Sequence, residues 1–398
     1  MKSRILALSL VLAPANLLAL GQTARADFGS CKQQVKAQAA AAGVSQATLA
    51  RALDGLEPND AVGFLGAQPE FTTPIWDYIA GLVDDERVRD GQARFSQYRQ
   101  AALAAQHRYG VDAAAIVAVW GVESDFGKSF GGRPIIQSLT TLACTPNRRS
   151  DYFRGELIAA LKILDHGDVK LEEFNGSWAG AFGNTQFMPS TFLRLAVDLD
   201  GDGKRDVINS VPDALGSTAN FLHRAGWIDG LRWGFEVRLP GNYSGPSGRG
   251  GKKPVSFWAA QGVTHIDGSP LSESGAYGLL LPSGPHGPAF LVSRNFDAFY
   301  SYNAAESYAL AIGILADRLK GGGGIVTPWP TDDPGIPRVE RREVQSLLSQ
   351  RGYDIGGKID GVMGTKTREA IAAYQQRIGM KRDGRASKKL LAALRAGK

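Results

Sequence analysis

The sequence predicts an α+β chain, mainly helical, with a large body and a small helical tail. Three features carry that reading. Ala-rich segments with apolar residues at helical spacing dominate residues 27 to about 230. From Gly241 to Pro288, Gly, Pro and Ser crowd together beside short β-like runs. A Gly/Pro-rich stretch then precedes a compact tail with three helical patterns. The chain has 398 residues, of which 43% are hydrophobic and 21% charged. That length allows two or three domains, and the balance excludes a wholly disordered polypeptide.

Residues 1–26 read as a secretory leader. Lys2 and Arg4 give a basic start, Ile5–Leu20 is largely apolar, and Ala24-Arg25-Ala26 is a small-x-small cleavage signal. A membrane anchor is the weaker reading, because the run is short and holds Pro14 and Asn16. Cys31 lies too far beyond the apolar run for lipidation. The mature chain is therefore expected to be soluble, exported to the periplasm, monomeric and without a stable membrane anchor. Two cysteines exclude a disulfide scaffold and a Cys-based zinc site. In an oxidising compartment Cys31 and Cys144 are expected to pair, two separate buried thiols being the alternative.

Within the body, 27–320, helices are expected at Gln33–Leu56, Asp90–Tyr109, Asp151–Asp165 and Ala304–Leu319. The runs Phe235–Leu239, Gly278–Leu281 and Ala289–Ser293 mark a small β-containing insertion at about 235–293. Gly321–Gly324 and Pro328, Pro330, Pro334 and Pro337 mark a linker, 321–337, flexible first and then stiffer. The tail, 338–398, has helical patterns at Arg338–Arg351, Thr365–Ile378 and Ser387–Leu394. The net charge of +6 is unevenly spread, since the tail alone carries +9 and residues 27–337 carry −6. Such a module predicts an anionic partner. Export argues against nucleic acid and for an anionic wall polymer.

The five histidines form no H-E-x-x-H pair, no G-x-S-x-G elbow occurs, and the glycines between Gly121 and Ser129 are misspaced for a phosphate loop. The most informative segment is Val111–Gly127. Asp112 can cap a helix whose apolar face includes Ile116, Val119 and Trp120, and Glu123 follows on that face. Gly127 is the expected stop. Burial and the negative end of the helix dipole favour a protonated carboxyl there, as a general acid needs. A structural or solvated glutamate is the alternative reading. Asp125 points elsewhere, so one carboxylate is offered where ordinary glycosidases need two.

Glu123-Ser124-x-x-Gly127 resembles the catalytic motif of lytic murein transglycosylases. Ser177–Gly183 with Gln186-Phe187-Met188-Pro189-Ser190 resembles the second motif of their B-type family, with Phe182 where Met is usual. Tyr302-Asn303-x-x-x-Ser307-Tyr308-Ala309 resembles the third, and Phe71-Thr72-x-Pro74-Ile75-Trp76-x-Tyr78 and Arg154–Leu157 also fit. The likeness runs over about residues 30–320. It implies a lysozyme-like catalytic core that cleaves the β-1,4 bond between N-acetylmuramic acid and N-acetylglucosamine, leaving 1,6-anhydro ends. It assigns Glu123 as acid and then base. Ser177, Gln186, Tyr78, Tyr302, Asn303 and Tyr308 are assigned to the glycan cleft. A hydrolytic muramidase or a non-catalytic wall-binding scaffold are the alternatives. The tail resembles a three-helix peptidoglycan-binding module through Asp360-Gly361-x-x-Gly364-x-x-Thr367 and the echoing Asp383-Gly384.

Asp198-x-Asp200-x-Asp202-Gly203 follows the start of an EF-hand loop, three alternating carboxylates suited to Ca²⁺. Lys204 would offer a backbone carbonyl and Asp206 falls at the ninth position. Asn209 replaces the usual bidentate glutamate, so weak structural Ca²⁺ binding is expected. The B-type family carries a similar loop here. An Asp/Gly-rich turn without metal is the alternative. The chemistry itself is expected to need no cofactor.

Overall fold

The computed structural model describes residues 16–66 and 72–397. Residues 1–15 of the expected leader, and Phe71, lie outside the described residues. The chain forms two compact units. One comprises residues up to Phe64, Gly131–Ala181 and Met188–Leu193; the other comprises Leu65–Phe130, Phe182–Phe187 and Arg194–Lys398.

The first unit begins with the helices Asn16–Ala41 and Gln46–Leu53. The single helix expected over Gln33–Leu56 is broken at Gly43, whose φ of 96° ends the first turn. Ser45 restarts the second, its hydroxyl accepting from the Thr48 amide. The helices Ile135–Cys144 and Ser150–His166 pack together. The strands β1 (Arg133–Pro134) and β2 (Asn175–Gly176) pair antiparallel, and β1 lies against the helix Ile135–Cys144. Cys31 and Cys144 form the expected disulfide.

The second unit holds the helices Ile75–Leu82, Asp85–Gln97, Arg99–Tyr109, Ala113–Ser124, Val211–Arg224, Arg294–Asn303 and Glu306–Leu319. The run expected over Asp90–Tyr109 is two helices meeting at Tyr98, whose ring stands edge-on to Trp120 at 5.5 Å. Ala113–Ser124 is the central helix, and every residue from Ala113 to Gly121 is buried. It packs against Glu306–Leu319, Val211–Arg224 and the two helices that precede it. Burial of side chains such as Ile116 and Trp120 contributes about 1.5–3 kcal/mol each.

Five short antiparallel strands form the sheet: β3 (Gly234–Arg238), β4 (Lys253–Pro254), β5 (Thr264–His265), β6 (Ala276–Leu280) and β7 (Ala289–Val292). Their order is β4-β6-β7-β3-β5, with Phe235 opposite Leu291 and Leu279 opposite Leu291. Three of them fall on the predicted β-like runs. Phe235, Trp258, Tyr277 and Leu291 give the sheet its own core.

The tail folds as Arg338–Gln350, Thr365–Arg377 and Lys388–Arg395 around Val344, Leu348, Ile371, Tyr374 and Leu390. Its internal echo has a structural basis. The Gln345 amide oxygen accepts from the Gly361 amide at 2.7 Å and its nitrogen donates to Asp360 at 3.2 Å. Gln375 treats Gly384 and Asp383 the same way, at 2.9 and 2.8 Å. The Gly/Pro segment before the tail is not free. The Val326 and Thr327 amides donate to the two Glu236 carboxylate oxygens at 2.7 and 2.8 Å, and Ile336 is buried in the tail's core.

Candidate active site

The site is built at the C-terminal end of the helix Ala113–Ser124. Asp112 caps its start as expected, accepting from the Ala115 amide at 3.0 Å. The helix ends at Ser124, ahead of the predicted stop at Gly127. Asp125 and Phe126 both take left-handed backbone, with φ of 52° and 57°. Such strain at two non-glycine residues costs on the order of 1–3 kcal/mol each. The turn folds Phe126 back onto the helix, and a Cβ on Gly121 would meet its ring at 2.6 Å. Asp125 is held by a bidentate pair with Arg338, both contacts at 3.0 Å, and by Arg87 at 3.7 Å.

This turn explains the Ser and Gly of the motif. Ser124 is buried, its hydroxyl donating to the Asn184 carbonyl at 2.6 Å and accepting from the Gly127 amide at 3.1 Å. Gly127 has φ of 82°, and a Cβ there would lie 2.9 Å from the Asn184 amide oxygen. That oxygen accepts from the Trp120 indole at 2.9 Å, while the Asn184 nitrogen donates to the carbonyls of Val207 and Ile208. Asn184 therefore ties the catalytic helix to two other segments. Sequence reading missed it, because it occupies an open position of the second motif and its partners are remote in the chain.

Glu123 is half-buried and accepts a hydrogen bond from the Tyr308 hydroxyl. Tyr308 lies on the helix Glu306–Leu319 and stacks with Tyr302, centroids 6.2 Å apart. The Tyr302 hydroxyl donates to the Thr185 carbonyl at 2.7 Å, and its ring packs on Phe221 at 4.5 Å. Burial, then the charge of Glu123, pushes both phenols well above the ordinary tyrosine range. Tyr78 lies within electrostatic reach of Tyr308. Thus Glu123, Tyr308, Tyr302 and Tyr78 are brought together. Asn303 is half-buried at the end of the helix Arg294–Asn303. Gln186 has φ of 49° and donates its amide to the carbonyls of Phe130 and Gly183. Ser177 belongs to the other unit, where its hydroxyl accepts from the Ala181 amide at 3.0 Å.

The acidic loop is arranged differently from the sequence expectation. Asp198, Asp200 and Asp202 offer oxygens that cluster within 4.8 Å together with Asp213. Asp206 instead accepts from the Ile208 and Asn209 amides, and the Asn209 side chain donates to it. Lys204 is exposed. Buried Asp213 accepts from the amides of Leu199, Asp200 and Asp206, drawing the loop around itself. Burial pushes its carboxyl up against those bonds. Asp213 was not in the predicted set, since it sits on the following helix.

The Transglycosylase SLT domain family matches residues 27–317, and the putative peptidoglycan binding domain family matches 337–394. Membrane-bound lytic murein transglycosylase B of Escherichia coli (strain K12) is 35% identical over 238 residues, which is 59% of this chain and 64% of that relative. The match thus spans less than two thirds of the relative's length. SltB3 from Pseudomonas aeruginosa, solved with NAG-anhNAM-pentapeptide and with NAG-NAM-pentapeptide, is 46% identical, with 92% of this chain and 99% of that chain covered at a TM-score of 0.74. Lytic transglycosylase Slt35 of Escherichia coli, solved in complex with calcium, is 29% identical, with 73% and 92% covered at a TM-score of 0.64. With its catalytic-motif helix, its tyrosine pair and its C-terminal module all inside these matches, the chain belongs to the SLT-domain transglycosylase family.

Proposed function

We propose that this chain cleaves the β-1,4 bond between N-acetylmuramic acid and N-acetylglucosamine in peptidoglycan and closes a 1,6-anhydro ring on the muramic end. The observation that carries the reading is the contrast between the two carboxyls of the motif segment. Glu123 stands at the end of a buried helix against the Tyr308 hydroxyl, while neighbouring Asp125 is committed to Arg338 and Arg87. Glu123 protonates the glycosidic oxygen as the C1–O bond breaks. Its carboxylate then takes the proton of the muramic C6 hydroxyl, whose oxygen bonds to C1. The proton returns to Glu123 and no water is consumed. Because the nucleophile is tethered, its effective concentration is high. Tyr308 orients the carboxyl through its fixed donor. Tyr302, Asn303, Tyr78, Gln186 and Ser177 hold the glycan.

The same reading makes 27–320 the catalytic region, with a β-containing insertion at about 235–293, 321–337 the linker and 338–398 the wall-binding module. The leader pattern and the disulfide support export to the periplasm. Among the described residues no helix is long and apolar enough to cross a membrane. Asp198, Asp200 and Asp202 with Asp213 suit Ca²⁺, since all four offer hard carboxylate oxygens and three are reachable from solvent. A bound cation there offsets part of the cluster's negative charge and takes no part in glycan cleavage.

Digestion of purified peptidoglycan tests the reaction. Products should be lighter by one water than hydrolytic ones. Glu123→Gln should abolish cleavage while leaving the fold intact, because an amide neither donates nor recovers the proton. Hydrolytic products, or turnover by that variant, overturn the reading.

A further inference from the structure

A second cavity lies away from Glu123. It measures about 570 Å³ and opens between the segment Thr72–Asp77 and the C-terminal module. Four cations line it, Arg341, Arg368, Lys381 and Arg385, against two carboxylates, Asp77 and Asp383. Both carboxylates are already engaged. Asp77 holds Arg385 at 2.7 and 3.0 Å, and Asp383 accepts from Gln375 and from the Arg385 amide. The lining therefore keeps a net charge of +2, and of its cations only Arg385 is paired with one of these carboxylates.

The deepest of these is Arg341. It donates to the Gly81 carbonyl at 3.1 Å, but its Nε is buried without a partner. Burial pushes the guanidinium down to about 10. Arg338, Arg87 and Arg368 act in the same direction, and Asp84 opposes them. Asp84 itself is committed to the amides of Arg87 and Arg338. Trp76 also lines this cavity, and its indole N–H is buried and unpartnered too. Buried donors without acceptors are rare in folded proteins, and a group of them beside excess positive charge fits a missing anion. Arg368 and Lys381 are exposed at the rim.

A neighbouring cavity shares part of its wall. Thr73 and Trp76 line both, and the neighbour, of about 530 Å³, reaches Ser307, the residue before Tyr308.

We propose that this pocket is a carboxylate subsite that receives the acidic peptide carried by the glycan, with Arg341 and Trp76 as its inner donors and Arg368 and Lys381 at its mouth. This rests on the transglycosylase reading and extends it to a preference for strands that keep their peptides. It also gives the C-terminal module a share in substrate selection.

Binding tests the subsite without turnover. A soluble disaccharide–peptide and its counterpart with amidated peptide carboxylates are titrated into full-length Glu123→Gln. The acidic form should bind about tenfold more tightly, the scale of one charge-assisted hydrogen bond. That gap should close in Arg341→Gln and in the exposed pair Arg368→Gln/Lys381→Gln, which does not disturb the buried lining. Equal affinity for the two forms, or a gap that survives both sets of changes, overturns the subsite. Cleavage of peptide-free strands by the unaltered chain reports on the chemistry separately, so the two readings fail in different assays.

Discussion

Glu123 accepts from the Tyr308 hydroxyl. The Tyr308 phenol is pushed upward by burial and by the Glu123 charge, so it stays protonated well beyond the ordinary tyrosine value of about 10. Tyr308→Phe keeps the ring stacked on Tyr302 but removes the hydrogen bond that aims the carboxyl. Its kcat is expected to fall about 10- to 100-fold with KM little changed, the size of effect that misplacing a catalytic group produces. Tyr302→Phe should cost less, because that hydroxyl donates to Thr185 rather than to Glu123. Steady-state kinetics on soluble glycan checks both, and equal losses from the two changes would remove the orienting role. Glu123 was singled out by its helix face, and Tyr302 and Tyr308 by resemblance to a family motif; the fold brings the three together. Asn184 was not singled out. It is recognisable only once the fold brings the Trp120 indole and the Val207 carbonyl to it.

At the scale of elements, the acidic loop shows what a motif leaves open. Three alternating aspartates were readable, but the fourth member, Asp213, depends on where the helix Val211–Arg224 begins. The long helical runs were readable as helix, whereas their breaks at Gly43 and Tyr98 follow from packing and backbone geometry. Burial raises the Asp213 carboxyl, and the charge of Asp200 adds to this. In the metal-free fold that group binds its proton more tightly than in the unfolded chain. Its contribution to stability is therefore full below the ordinary aspartate value of about 3.9 and declines as pH rises through the raised value. A cation favours the ionised cluster and reverses that trend. Millimolar-scale Ca²⁺ should raise the melting temperature at neutral pH through linkage, and much less near pH 4. Asp200→Ala should lose the response. A melting curve indifferent to Ca²⁺ at neutral pH would leave the loop as a turn organised by Asp213 alone.

The whole molecule joins an acidic body to a basic tail, and part of the tail's charge is directed at the body itself. Arg338 holds Asp125, Arg342 holds Glu86 at 3.0 Å, and Arg385 holds Asp77. The sequence revealed the charge contrast and the three tail helices. It did not reveal this seat, because a Gly/Pro segment reads as a free linker until Glu236 is found accepting its amides. The Arg342 guanidinium holds the Glu86 carboxyl below its usual range, so its contribution is complete above about 4.3 and is lost as pH falls through the lowered value. Glu86→Gln should therefore melt below the unaltered chain at pH 7, and the two should converge under acid. The Arg338–Asp125 pair matters more for chemistry, since it secures the strained turn two residues after Glu123. A tail that merely raised local concentration at the wall would be dispensable on small soluble substrates. The seat predicts otherwise. Removing residues 338–398 should lower kcat on short glycans severalfold, on the scale of about 1–2 kcal/mol for a partly buried pair. Arg338→Ala in the intact chain should reproduce much of that loss, and Arg338→Lys should recover part of it through charge without the bidentate fork. Undiminished turnover by the truncated chain would show that the turn holds Glu123 in place without the module.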